Sequence, residues 1–312
     1  MDNVCHTLVG AALAESGLKR QTALGSATLM IAANFPDIDV IAVPLGHSLG
    51  FRRGITHGIA ALIVLPVVLT LIMLGWNRWR GRGGEAPKPA ALLLLSTIGI
   101  LTHPFLDWMN TYGMRWMMPF DPTWWYADTL FIIDPWIWLV LMLGIWFSSR
   151  LARKQATPTA AAGPSRIALG GVGAYVAAMA LVGASARDGV QNGLRAQGVT
   201  ADTIVVEPVF ANPFQRRVIY LWQGSYHLAT YNLSTREVTV PWFHIALNAE
   251  DPAVAAANAT RAGREYHSWT RLPYYVIAAA GDTTWVSIGD VRYTLNARSS
   301  WASVRIPVIA DR

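Results

Sequence analysis

Four stretches of this chain are apolar for long enough to cross a bilayer, and the charged residues gather between them. Ile59 to Trp76 reads IAALIVLPVVLTLIMLGW, with Thr70 as its lone hydroxyl and Pro66 as a candidate kink. Ala90 to Met109, Leu130 to Phe147 and Ile167 to Ala186 follow it. At about 1.5 Å of rise per residue, runs of this length match a hydrocarbon core of about 30 Å. Two shorter helical stretches precede them, about Val4 to Ser16 and Thr22 to Ala33, separated by Gly17, Lys19 and Arg20. They predict a helical hairpin that packs against the longer spans. From Thr200 the period changes to short alternating stretches: TIVVEPV, RRVIYLW, YHLATYNL, EVTVPWFHI, YYVIAAAGDTTWVSI, VRYTLNA and WASVRIPVI. These read as strands, with a hairpin turn at Gly281 and Asp282.

The predicted fold is an α-helical membrane bundle of about four long spans plus an N-terminal helical hairpin, followed by a small β-rich soluble domain. Its divisions are a membrane-embedded region at 1–150, a cytoplasmic linker at 151–166, an additional transmembrane helix at 167–187 and a β-rich domain at 200–312. The segment QATPTAAAGPS, from Gln155 to Ser165, reads as the flexible part of that linker. No internal repeat is visible.

Composition agrees with a membrane protein: 53% of the 312 residues are hydrophobic and 14% charged, against about 25% charged in soluble domains. The net charge of +6 does not point to nucleic acid, because the Lys and Arg residues sit beside apolar runs and form no continuous basic stripe. It reads instead as topology. Arg78, Arg80, Arg82 and Lys88 follow one span, and Arg150, Arg153, Lys154 and Arg166 follow another, so both loops are expected in the cytoplasm. The loop from Asn110 to Thr129 sets Asp121 and Asp128 against Arg115 alone and is expected outside, as are the residues after Ala186. Arg52 and Arg53 are exceptions to this bias. The single cysteine, Cys5, excludes an intramolecular disulfide and a multi-thiolate zinc cluster. The N-terminus starts acidic and lacks a basic n-region, so it is expected to be retained. Trp116, Trp124, Trp125, Trp136 and Trp138 cluster near span ends as an aromatic belt.

Candidate chemistry sits at the ends of these apolar runs. AALLLLSTIGILTHPFLDWM places His103 and Asp107 four residues apart, on one face of a helix. A carboxylate at the bilayer centre costs roughly 2.5–3.5 kcal/mol, so it calls for a partner, and a metal ion suits both side chains. His6 in CHTLVG, Asp37 and Asp39 in NFPDIDV and His57 in RRGITHG recur at comparable positions. Mixed imidazole and carboxylate sets suit zinc, manganese or iron. Each motif alone has an ordinary reading: PDID as a turn with solvated carboxylates, and THG as a helix start capped by Thr56. Their joint placement near one face of the bilayer is what points to a shared site.

Asn110, Thr111 and Tyr112 follow Asp107 closely enough to line its mouth. Arg53 suits either a phosphate or a headgroup. Asp128 and Asp134 flank LFII, and Asp134 precedes Pro135, so helix capping competes with site support there. His227, His244 and His267 lack ligand-like spacing and read as ordinary strand or surface residues.

In order, MDNVCHTLVGAALAESG, NFPDID, RRGITHG, THPFLDWMNTYG and DTLFIIDP resemble the signature of the bacterial YdjM-like membrane-bound metal-dependent hydrolases, over roughly Met1 to Phe147. PVFANPFQRRV and the Trp- and Tyr-rich tail look like the extracytoplasmic extension of longer members. The resemblance implies a multi-pass protein of the bacterial inner membrane with a divalent-metal site, distantly similar to zinc-dependent phospholipase C. Carried over by position, the implied metal ligands are His6, Asp37, His57, His103 and Asp107, and Asp39 matches the second acid of its motif.

The expected function is a metal-dependent hydrolase of the phosphoesterase type, acting on a lipid or lipid-linked phosphoester at the outer face of the inner membrane. Asp39 is the expected catalytic residue, orienting the water or taking its proton. Asn34, Arg53, Thr56, Asn110, Asp128 and Asp134 are expected to bind substrate or support the ligands. Zinc is the expected cofactor, with manganese or magnesium as alternatives and one or two ions. Membrane lipids and an amphiphilic substrate are the expected partners, with no nucleic acid and a periplasmic partner for the C-terminal domain. The alternative is a non-enzymatic scaffold or regulator whose metal is structural. A transporter would need polar residues through the full depth of the bundle, whereas the inner halves of these spans are apolar, and an intramembrane protease fits poorly because the sequence contains no HExxH.

Overall fold

A computed structural model describes residues 1–45, 52–81, 85–154, 157–298 and 302–309. The chain forms two compact units, one built chiefly from residues 1–182 and the other chiefly from residues 183–312.

The first unit holds α1 (Asn3–Glu15), α2 (Gly25–Ala32), α3 (Ile59–Arg80), α4 (Pro89–Trp108), α5 (Pro135–Arg153) and most of α6 (Pro158–Ala196). The last four are long and apolar enough to cross a membrane. Asp2 caps α1 by accepting hydrogen bonds from the amides of Val4 and Cys5 at 2.9 and 3.0 Å. The expected N-terminal hairpin is present, with Gly17 taking a left-handed φ of 114° where α1 ends. Small residues let these helices approach closely. A Cβ on Gly10 would lie 2.7 Å from the Leu29 carbonyl oxygen, and one on Gly99 would lie 2.5 Å from the Ala32 Cβ. α2 is thereby seated between α1 and α4.

Two helix boundaries differ from the sequence reading. The third long span starts at Pro135 and not at Leu130, because Asp134 caps it through the amides of Trp136 and Ile137, and Pro135 occupies its first position. Leu130 instead bridges to Asn110 in parallel fashion. The segment expected to be a flexible linker is helical from Pro158 onward, with Pro164 inside the helix. Gly144 permits this, since a Cβ there would collide with the Ala168 side chain and lie 3.2 Å from the Pro164 carbonyl oxygen.

In the second unit, Ala186, Val190 and Leu194 of α6 pack against Val218, Tyr220, Ala229 and Tyr231. These four belong to a five-stranded sheet of order β1 (Thr203–Val209), β2 (Asn212–Trp222), β3 (Ser225–Asn232), β4 (Glu237–Val238), with β5 (Phe243–Ala246) also paired to β3. A second antiparallel sheet runs β6 (Pro273–Ala280), β7 (Thr283–Asp290), β8 (Ser303–Ile309). The hairpin expected at Gly281 and Asp282 joins β6 to β7, with Gly281 at φ 62°. VRYTLNA, expected as a strand, forms turns instead. Asp290 draws the chain back there: its carboxylate accepts from the Arg292 amide and its carbonyl from the Thr294 amide. Two short helices, α7 (Pro252–Ala259) and α8 (Arg261–His267), lie in a stretch for which no element was expected.

Candidate metal centre

The buried positions of α4 include Leu92, Leu95, Ser96, Gly99, Ile100, His103, Leu106 and Asp107, which recur at helical spacing. His103 and Asp107 therefore continue the face that packs against α2. Asp37 comes from the 3-10 stretch that follows α2, Phe35–Leu45, and His57 from the turn before α3. Four donors from three separate pieces of chain thus meet where α2 and α3 flank the end of α4.

The four side chains converge on a small volume. His57 Nε2 and His103 Nε2 are 3.1 Å apart. Each lies 3.7 Å from Asp37 Oδ1, and they lie 3.6 and 3.5 Å from Asp107 Oδ2. One donor atom from each residue falls within 4.8 Å of all the others. Ligands held tetrahedrally at about 2.0–2.2 Å from a zinc ion stand roughly 3.3–3.6 Å apart, so this donor set fits such an ion.

The hydrogen bonds behind the imidazoles agree. His103 Nδ1 lies 2.7 Å from the Ala33 carbonyl oxygen. A carbonyl only accepts, so Nδ1 carries the proton, and Nε2 is the nitrogen that faces the cluster. His57 Nδ1 is 3.0 Å from Thr56 Oγ1 and 3.7 Å from Asp39 Oδ2. Burial lowers the His57 pKa despite the neighbouring carboxylates, which favours the neutral, ligating form.

His6 stands directly against this group. Its ring stacks on His103 at 3.8 Å between centroids and 19° between planes, and its Nε2 lies 3.3 Å from Asp107 Oδ1. Neither of its ring nitrogens makes a hydrogen bond. The Met1 amino group also contacts Asp107 Oδ1.

Arg53 grips Asp107 with both arms of its guanidinium, Nε to Oδ2 at 2.9 Å and Nη2 to Oδ1 at 2.9 Å. Its Nη1 donates to the Gly113 carbonyl at 2.9 Å and to Asn110 Oδ1 at 3.2 Å, and its guanidinium stacks over the Tyr112 ring. The main chain at Arg53 is left-handed, with φ 49°, and its amide donates to Asp39 Oδ2 at 2.8 Å. Asp39 thus supports both Arg53 and His57 and lies outside the four converging donors. Asn110, besides meeting Arg53, accepts from the Tyr112 amide. Asn34 donates to Thr7 Oγ1 and the Met30 carbonyl. Asp134 caps α5 and accepts from the Tyr175 hydroxyl, and Asp128 is buried in the left-handed region at φ 49°. Neither of the last two is among the four converging donors.

Sequence reasoning missed two participants. Arg52 lies 3.5 Å from Asp37 Oδ1 and 3.3 Å from Asp39 Oδ1; its signal was the doubled arginine of RRGITHG. The Ala33 carbonyl had none. Asp37 is the least buried of the four donors, its side chain 12% exposed against 0–1% for the others. It lines a cavity of about 440 Å³ together with Ile31, Asn34, Phe35 and Ile38.

Residues 1–188 match the family described as YdjM inner membrane protein. The chain belongs to that family. The matched region contains every donor of the centre and ends within α6, so the family's shared part is the helical one and the β-rich residues follow it. The uncharacterized protein YfhP of Bacillus subtilis is 24% identical over 164 residues, which make up 47% of this chain and 47% of that protein. The chain thus covers about half the length of the curated relative it matches. No solved structure matches.

Proposed function

We propose that this chain is a membrane-bound, metal-dependent hydrolase that cleaves a phosphoester of a lipid or lipid-linked molecule. The observation that carries the reading is the partly exposed Asp37: one of four converging donors opens onto a cavity. A catalytic ion keeps a position accessible to water, whereas a structural zinc is closed off by its ligands. Asp37, His57, His103 and Asp107 would hold the ion, with His6 next to them against Asp107. Zinc suits two imidazoles and two carboxylates, with manganese or magnesium as alternatives.

Bound there, a divalent cation supplies Lewis acidity, lowering the pKa of a water toward about 7 and polarising a phosphoryl oxygen. The protein supplies position. Arg53 holds the Asp107 carboxylate by one hydrogen bond and one further ion-pair contact, and the Ala33 carbonyl fixes the His103 tautomer. We assign Asp39 the positioning of His57 and of the Arg53 main chain, a role that acts through those residues.

Charge bias supports an outer-face location. α3 and α5 both end on arginines, Arg78 and Arg80 in one and Arg150 and Arg153 in the other, while His57 precedes α3 and Asp107 lies in the last turn of α4. With the basic ends in the cytoplasm, the centre lies at the outer leaflet, and the β-rich unit is extracytoplasmic and available to a periplasmic partner.

The test is metal analysis of detergent-purified protein together with hydrolysis of a panel of lipid and lipid-linked phosphoesters, with zinc and with manganese. Turnover should require the metal and be lost in His103→Ala along with bound metal. Hydrolysis that survives both chelation and His103→Ala refutes the reading. A coordinatively closed metal with no turnover on any substrate favours a structural role.

A further inference from the structure

Two arginines adjoin the centre, and they are not equivalent. The Arg53 guanidinium is buried, its two terminal nitrogens donating to Asp107, Asn110 and Gly113 and its Nε in ion-pair contact with Asp107. Such a group is enclosed by its own protein partners and holds the site together. Arg52 is the reverse: its side chain is 26% exposed, and it meets Asp37 and Asp39 at 3.5 and 3.3 Å, longer than a charge-assisted hydrogen bond. Its main chain is nevertheless fixed, because Arg115 Nη2 donates to the Arg52 carbonyl at 2.8 Å. Arg52 is therefore a placed cation with guanidinium donors that an anion can draw away from the carboxylates.

Asp37, which Arg52 touches, also lines the 440 Å³ cavity. The remainder of that cavity is mostly apolar, with Ile31 and Ile38 exposed on its rim. Val40 and Ile41 are also exposed on the 3-10 stretch that carries Asp37 and Ile38. A cation beside the lining carboxylate, with aliphatic side chains among the other lining residues, is complementary to a molecule with an anionic head and a hydrocarbon chain.

We propose that Arg52, and not Arg53, reads the phosphoryl group of an anionic amphiphile, and that the slot between Ile31 and Ile38 holds the first carbons of its chain. The proposal rests on the metal-dependent reading above and adds to it which residues select the substrate. A guanidinium presents paired donors that match two phosphoryl oxygens, and each methylene removed from water in the slot strengthens binding about fourfold.

The full-length protein in a neutral detergent provides the test, with octyl phosphate and inorganic phosphate as probes in calorimetric titration and bound metal measured in parallel. Octyl phosphate should bind at least tenfold more tightly than inorganic phosphate. Arg52→Gln should weaken both at least tenfold while leaving metal content unchanged, with Arg52→Lys between it and wild type. Ile31→Gln, at an exposed position, should weaken octyl phosphate alone. If the metal is present and neither Arg52→Gln nor Ile31→Gln changes binding, the proposal falls and the metal centre stands. If octyl phosphate binding depends on both residues in protein that takes up no divalent metal, the slot stands and the metal reading falls.

Discussion

Arg53→Ala removes one positive partner of a buried carboxylate, and the size of the loss should depend on whether a cation is bound. Arg53 is 4% exposed and Asp107 1% exposed, and the two meet through a pair of 2.9 Å contacts. Removing one partner of a buried ion pair costs about 3–5 kcal/mol, and the Met1 amino group that also contacts Asp107 Oδ1 places this case at the lower end. The same substitution strips the Gly113 carbonyl of a donor. A divalent ion at Asp107 would supply a second positive neighbour and recover much of that loss. The assay is thermal unfolding of detergent-solubilised wild type and variant, once with chelator and once with zinc. At about 2–4 °C per kcal/mol for a chain of this size, the variant should lose about 6–20 °C in chelator and less than half of that with zinc. Equal losses in the two conditions, or a loss under about 3 °C in chelator, would refute the coupling of Arg53 to the metal through Asp107.

Gly99→Leu should cost about 1–3 kcal/mol and lower bound metal, since a side chain there drives α4 from Ala32 and hence His103 from Ala33; full metal content in the folded variant would contradict this. In the β-rich unit, burial works to raise the Asp290 pKa, but Arg292 and the hydrogen bonds from Arg292 and the Arg271 amide outweigh it and hold the carboxyl below its usual value. That stabilisation is present above the unfolded pKa of about 3.9 and is lost as pH falls through the folded value. Asp290→Asn should therefore destabilise the unit at pH 7, and the gap from wild type should close below about pH 4; a gap unchanged down to pH 3 counts against it. A cysteine introduced at Ser225 should react with an impermeant thiol reagent added outside intact cells, with the buried Cys5 silent as background; labelling only from the cytoplasmic side reverses the topology.

The helices were legible because an apolar run of span length has few alternatives, and Ile59–Arg80 and Pro89–Trp108 lie close to where periodicity placed them. Boundaries were less so. Leu130 to Ile133 are as apolar as the helix that follows, and only the Asp-Pro capping chemistry at 134 and 135 separates them. Residues 158–166 looked flexible because they are rich in Ala, Gly and Pro. The small side chains that suggest a linker are also what lets α6 pack against Gly144. VRYTLNA alternates like a strand, but the hydrogen bonds of Asp290 are not visible in alternation. At the centre, the pairing of His103 with Asp107 followed from their i, i+4 spacing. The division of labour between Arg52 and Arg53 did not, since adjacent identical residues differ only in where the backbone sends them, and the left-handed turn at Arg53 decides that.

The acceptor that fixes the His103 proton is a peptide carbonyl. No exchange of side chain at position 33 can delete it, so long as the new residue fits the closed space that Ala33 occupies. A control exerted by the main chain is therefore tolerant of drift in identity and intolerant of drift in length. One residue inserted or lost between α2 and Phe35 would turn the carbonyl away from the ring and leave Nδ1 without its acceptor. Among relatives, the mark of this contact would be a constant spacing between the hairpin and the NFPDID turn, with no particular letter preserved at its midpoint.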